Sequence, residues 1–230
     1  MCTSMCAFRE GNHVGKENLE EYAYNAIVKL IQANHFKPGD FLLETELSDL
    51  FGLKSRTPVR HALGQLVAKG FLEKKKKKGC FIPPTSVEDA QQVFHAREIV
   101  ESSSALLAAR HATPEDIAQL RAIVQLEAAT GESGNKFDYS RLNEKFHAAV
   151  ARTGRNAYLE RYSEHLFWRS TVYVFLFGGY YTQPDFVQHM LAPPQHMGIV
   201  EAIASHAAET ARDLMAHHIR FTFDRIFNLI

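Results

Sequence analysis

Residues 44–83, ETELSDLFGLKSRTPVRHALGQLVAKGFLEKKKKKGCFIPP, constrain the fold more than any other stretch of the chain. Leu47, Leu50 and Phe51 recur at i, i+3 and i+4, which places them on one face of a helix. Gly52 can take the positive φ that ends such a helix. Ser55 or Arg56 opens a second helix, with Val59, Leu63 and Leu66 or Val67 inward and Gly70 as its stop. Two short helices joined by a few residues that include glycine make a helix-turn-helix. Phe71-Leu72-Glu73 and Cys80-Phe81-Ile82 then read as two strands around a tip of lysines and Gly79, which is a wing. The second helix begins with Ser55, Arg56, Thr57 and Arg60, residue types that reach base edges and phosphates. Arg56 and Arg60 are four apart and share a side of that helix. Lysines 74–78 at the wing tip are placed to hold phosphate, and each such contact steepens the salt dependence of binding.

The charge distribution supports a nucleic-acid face at one end. Residues 1–86 carry 13 Lys and Arg against 9 Asp and Glu, and the remainder 13 against 17, so a formally neutral chain divides into a basic and an acidic part. At 230 residues, 46% hydrophobic, it can build two substantial cores. No run of about 18 apolar residues exists to span a membrane, because residues 167–181 are interrupted by Arg169 and Gly178-Gly179. The first fifteen residues lack the apolar centre of a signal peptide. Cys2, Cys6 and Cys80 read as reduced thiols of a cytoplasmic protein.

Residues 1–17 read as a disordered tail. Helical periodicity from about Asn18 to Asn34, the turn Lys37-Pro38-Gly39-Asp40 and a short strand at Phe41 and Leu42 complete a winged domain over 18–83. Pro83-Pro84-Thr85-Ser86 opens a linker, placed at 84–89. From Val87 the pattern is purely helical, and 90–230 is expected to form an antiparallel all-α bundle of about six helices. Thr113 and Pro114 cap the second of them, which is expected to stop before Gly131. The fourth reaches about Phe177. Residues 180–192 are ambiguous, and Pro193-Pro194 precede the fifth helix.

Nine of the twelve histidines lie beyond residue 86. Asn143 and His147 share a helix face. His196 and His218 fall about ten residues before and after the turn at Ala207-Ala208, so they can face each other across an antiparallel pair. Three imidazoles with an open fourth position suit Zn²⁺ or Ni²⁺, although the same residues also suit a hydrogen-bonded core.

The string "LETELSDLFGLKSRTPVRHALGQLVAKGFLE…KKG" resembles the winged helix-turn-helix of GntR-type bacterial transcription regulators. The resemblance implies that Arg56 and Arg60 contact operator DNA, with Thr45 at a third contact position and Lys77, Lys78 and Gly79 at the wing tip. His61 stands where the family carries an acid. "LNEKFHAAVARTGRNAYL" and "PPQHMGIVEAIASHAAETARDLMAHHI" resemble the effector domain of the FadR-like (FCD) branch, in its smaller, VanR-like form. That resemblance implies a divalent metal held by His147, His196 and His218, with Asn143 in the place of the usual aspartate. Arg97 matches a family position where an inward arginine binds an effector carboxylate or forms a structural salt bridge. Arg169, the only charge in its aromatic stretch, is a second anion-binding candidate.

The expectation is therefore a DNA-binding regulator, in the sense of a repressor rather than an enzyme. It binds double-stranded palindromic operator DNA as a homodimer and answers to a small carboxylate bound beside the metal. The alternatives are a metal-dependent enzyme using the three histidines and a metal-free DNA-binding regulator.

Overall fold

A computed structural model describes residues 18–176 and 191–227. The tail, the Gly178-Gly179 break and most of the ambiguous stretch before Ala192 lie outside the described residues. The first unit begins with α1 (Leu19–Gln32), whose first turn is capped by the Asn18 side chain accepting from the Glu20 N–H at 3.1 Å. Ala23, Ala26, Ile27 and Ile31 form its buried face. A two-residue strand β1 (Phe41–Leu42), α2 (Glu44–Leu50) and α3 (Thr57–Ala68) follow. Gly52, at φ 66°, makes the left-handed exit from α2. The Ser55 hydroxyl accepts from the Thr57 N–H at the start of α3, and Pro58 occupies its first turn.

The wing differs from its expected register. β2 spans Glu73–Lys75 and β3 spans Gly79–Phe81, in a three-stranded antiparallel sheet of order β1-β3-β2. Phe71 and Leu72 are not in the strand: both are only 1% exposed and fill the core beneath α3. Burial of that pair moves the hairpin two residues on, so the tip is Lys76, Lys77 and Lys78. Lys77 sits at φ 65°, and the Lys78 N–H closes on the Lys75 carbonyl at 3.0 Å.

The second unit is helical. It comprises α4 (Val87–His111), α5 (Pro114–Glu132), α6 (Lys136–Thr153), α7 (Ala157–Leu176), α8 (Ala192–Ala204) and α9 (Ala208–Ile226). That makes six helices among the described residues. Ser86 caps α4, and Thr113 with Asp116 forms a reciprocal capping box on α5. α5 continues through Gly131 instead of stopping before it, and Pro193 and Pro194 lie inside the first turn of α8 rather than ahead of it. α4 runs through the centre, packed on α6, α7, α8 and α9. Its inward face is partly polar: Arg97, Glu101, Ser102 and Ser104 are buried with Ala105 and Ala108, while Ile99 is exposed. Among the described residues no helix is long and apolar enough to cross a membrane.

The two units share a core. Phe71 and Leu72 of the first pack in one cluster with Phe167, Trp168, Val172 and Phe175 of α7. Gly70, at φ 81°, is where α7 comes closest: a Cβ there would collide with the His165 ring.

Candidate functional site

Three helices bring His147 (α6), His196 (α8) and His218 (α9) together, with ligating nitrogens within 4.8 Å of one another and all three side chains buried. Two of the rings are held from behind by hydrogen bonds through Nδ1, and the third has a carboxylate beside its Nδ1. His196 Nδ1 lies 2.7 Å from Glu127 Oε2, and His218 Nδ1 lies 2.7 Å from Gln195 Oε1. His147 Nδ1 closely approaches Glu101 Oε2 at 2.5 Å, off the line of a good hydrogen bond. A ring that donates from Nδ1 turns an Nε2 lone pair inward, the arrangement found behind metal-bound histidines. His196 Nε2 and His218 Nε2 stand 3.2 Å apart, close to the separation of about 3.3 Å expected for two nitrogens on a tetrahedral zinc with bonds near 2.0–2.1 Å. Two lone pairs opposed at that distance repel unless a cation or proton lies between them, so the residues present fit a metal.

The electrostatics point the same way. Glu127 is fully buried, and its carboxylate touches only the Asn143 amide at 3.1 Å and His196. Glu101 is 1% exposed. Burial would raise its carboxyl, but the Arg97 guanidinium and His147 outweigh burial and hold it at about 2. Burial pushes the His147 imidazole down to about 4 against the pull of Glu101. His218 is lowered well below its ordinary value by burial and by the other two histidines. His147 and His218 are therefore neutral near pH 7, the form in which imidazole binds a metal. Among the described residues two buried carboxylates, Glu101 and Glu127, face one buried cation, Arg97, and a divalent ion would reverse that balance.

Arg97 is anchored by Glu101 at 2.5 Å and Ser170 at 3.2 Å, and its Nη2 lies 3.2 Å from His147 Nε2. Phe167 packs 4.8 Å from the guanidinium. Arg97, Asn143 and His218 line a cavity of about 320 Å³ that extends to Tyr24, Asn25 and Val28 of α1. Asn143 has its NH₂ on Glu127. Arg169 is not brought to this cavity. It reaches the Pro84 carbonyl and Asp89, which also accepts from Tyr173, so it secures the linker and the start of α4. The aspartate of α4 supplies the anion that the sequence reading sought in a ligand. His217 is exposed and stands outside the cluster.

Glu101, Glu127 and Gln195 were not singled out from sequence. A signal for two of them existed: Glu101 lies four after Arg97 on α4, and Glu127 falls in helical phase with Leu120 and Val124 on a buried stripe.

The expected DNA-contacting residues are open to solvent, apart from Gly79. Thr45 on α2, Ser55, Arg56, Thr57 and Arg60 around the start of α3, and Lys77 and Lys78 at the wing tip are all exposed, and Gly79 is half-buried at the start of β3. Arg60 is tethered to Glu44 of α2 by Nε and Nη2, both at 3.0 Å. His61, in the place of an acid, pairs with Glu20 of α1 at 2.5 Å.

Comparison with known proteins agrees with this architecture. Residues 19–82 match the family of bacterial regulatory proteins of gntR type, and residues 92–221 match the FCD domain. The chain belongs to the GntR family of transcription regulators, with an FCD domain as its second unit. It is 30% identical to the Uxu operon regulator of Haemophilus influenzae, over 93% of this chain and 85% of that protein. It is 27% identical to the Nta operon transcriptional regulator of Aminobacter aminovorans, over 85% and 89%. The McbR/YncC structure from E. coli superposes with a TM-score of 0.75 at 20% identity, over 93% and 99% of the two chains, a likeness of fold. The family and these relatives are transcription regulators, not enzymes.

Proposed function

We propose that this regulator binds a palindromic operator as a homodimer and is controlled by a small organic acid seated beside a divalent metal, zinc or nickel, in the second unit. The observation that carries the reading is the convergence of three buried imidazoles, each with an acceptor oxygen within 2.7 Å of Nδ1, beside a cavity that His218 lines together with Tyr24, Asn25 and Val28 of the DNA-binding unit. His147, His196 and His218 would hold the metal through Nε2. Asn143, whose NH₂ is committed to Glu127, would offer its carbonyl oxygen for a fourth position. When bound, the metal supplies a positive centre that attracts a carboxylate. For His147 Nε2 to bind it, the Arg97 Nη2 contact must be released. The guanidinium then remains fixed by Glu101 and Ser170 and faces the cavity, where its fork suits a carboxylate. Arg56, Arg60, Thr45 and the wing lysines would contact DNA, and two copies related by a twofold axis would read two half-sites. The repressor sense is part of this proposal, and the six helices of the second unit among the described residues suit the smaller, VanR-like subgroup.

Two measurements test this. Elemental analysis of protein purified without a histidine tag should find close to one metal per chain, and none in His147→Ala. Operator binding in a gel-shift titration should weaken by tenfold or more in Arg56→Ala and in Arg60→Ala, which is roughly the loss of one good base contact. Undiminished operator binding by both variants would sink the DNA assignment.

A further inference from the structure

We infer that the DNA-binding unit itself completes the ligand site: Tyr24 of α1 and Arg141 of α6 form a second anion subsite, and the ligand is a short dicarboxylate spanning from there to the Arg97 and histidine end. The inference rests on the organic-acid reading above. Three observations carry it. Tyr24 lines the cavity, and its hydroxyl oxygen is buried without a hydrogen-bond partner among the described residues. A buried hydroxyl left unpaired is costly, so it points to an acceptor that a ligand supplies. Arg141 lines the same cavity, half-buried and laid over the Phe137 ring at 5.9 Å, and among the described residues no carboxylate lies within ion-pair distance of it. The nearby carboxylates are already committed, Glu144 to Lys69 Nζ at 3.0 Å and to Trp168 Nε1–H at 2.8 Å, and Glu164 to Lys69 Nζ at 3.2 Å.

The two ends are separated along one rigid element. Arg141 precedes His147 by six residues on α6, about 9 Å of helix rise, which sets the two ends apart along the helix. A cavity of about 320 Å³ has room for one compact molecule reaching from one cation to the other. Because Tyr24 belongs to the first unit and Arg97 to the second, such a ligand touches both. Its affinity then depends on how the two units sit, and whatever factor it applies to DNA affinity, DNA applies to it.

The test uses isothermal titration of the full-length, zinc-loaded protein with succinate, glutarate and adipate, each against the monocarboxylate of equal chain length. At least one diacid should bind about tenfold or more tighter than its matched monoacid, the scale of one charge-assisted contact. Arg141→Gln and Tyr24→Phe should each reduce that preference at least about fivefold, with zinc content and monoacid affinity retained. Tyr24→Phe keeps the ring that packs on Trp168 at 6.2 Å and under Lys69 at 5.5 Å, so a loss in it reports the hydroxyl rather than misfolding. Equal binding of diacids and monoacids, or a preference that survives in both variants, overturns the second subsite alone. Failure of either class of acid to bind removes the organic-acid reading, and this inference with it.

Discussion

Glu127 is a carboxylate with no solvent and no cation of its own, held by one amide and one imidazole. Such a group persists in a core when a positive centre is close. We expect Glu127→Gln to keep the fold and lower zinc affinity by about 10–100-fold, measured by chelator competition, since it removes the partner that orients His196. In metal-free protein the same core should show a specific pH dependence. Folded His147 titrates at about 4 and His218 is lowered well below its usual value, whereas both take protons near 6.5 in the unfolded chain. The folded state thus binds fewer protons between those limits. Stability is fully present above about pH 6.5 and is lost as pH falls towards 4. Melting temperature recorded against pH in the presence of a chelator should show this decline, and His147→Phe should flatten it. The histidines were legible because their spacing around a turn places them on facing helices. The acids behind them were not, because a charged residue in a helix reads as surface until its phase with Leu120 and Val124 is weighed.

At the scale of elements, α2 and α3 could be read closely, because Gly52 and Gly70 punctuate them through backbone geometry that tertiary context seldom overrides. The edge of β2 could not. Phe71-Leu72-Glu73 has strand-like composition, and only the shared core with α7 shows that the first two residues belong inside. The shift has a consequence for DNA binding. It leaves Lys76, Lys77 and Lys78 as a compact exposed tip while Lys74 and Lys75 pair with β3. Replacing Lys77 and Lys78 by alanine should weaken operator and random DNA alike. It should also reduce the slope of log affinity against log salt by roughly 2, or about 0.9 per lost phosphate contact. Arg56→Ala should instead weaken operator more than random DNA, and an equal loss on both would assign Arg56 to phosphate.

Over the whole molecule, the two units meet through α6, where Lys69 reaches Glu144, and through α7, one turn of which touches both the histidine centre and the first unit. Phe167 touches Arg97 at 4.8 Å and His147 at 5.2 Å between centres. Trp168 packs on Phe71 at 5.0 Å, and Lys69 Nζ lies 5.1 Å from its ring. Arg169 holds the Pro84 carbonyl beside the linker, and Ser170 holds Arg97. A rearrangement of Arg97 at the histidine centre therefore reaches the DNA-binding unit within one helical turn, by packed contacts rather than through a long relay. No sequence pattern showed this, since an aromatic run on a helix reads equally as core, dimer surface or pocket wall. Trp168→Ala tests it directly. It removes the largest shared side chain and leaves Glu144 with one partner fewer, at a cost of about 3–5 kcal/mol for a buried tryptophan. Calorimetry should show one cooperative transition for the wild type and two for the variant, because the first unit loses its main attachment while its own core of Ile27, Leu63 and Leu66 persists. Operator affinity measured with and without zinc should differ in the wild type and converge in Trp168→Ala. If the variant still melts in one step and still answers to zinc, the signal does not travel through α7, and the linker held by Arg169 becomes the route to examine.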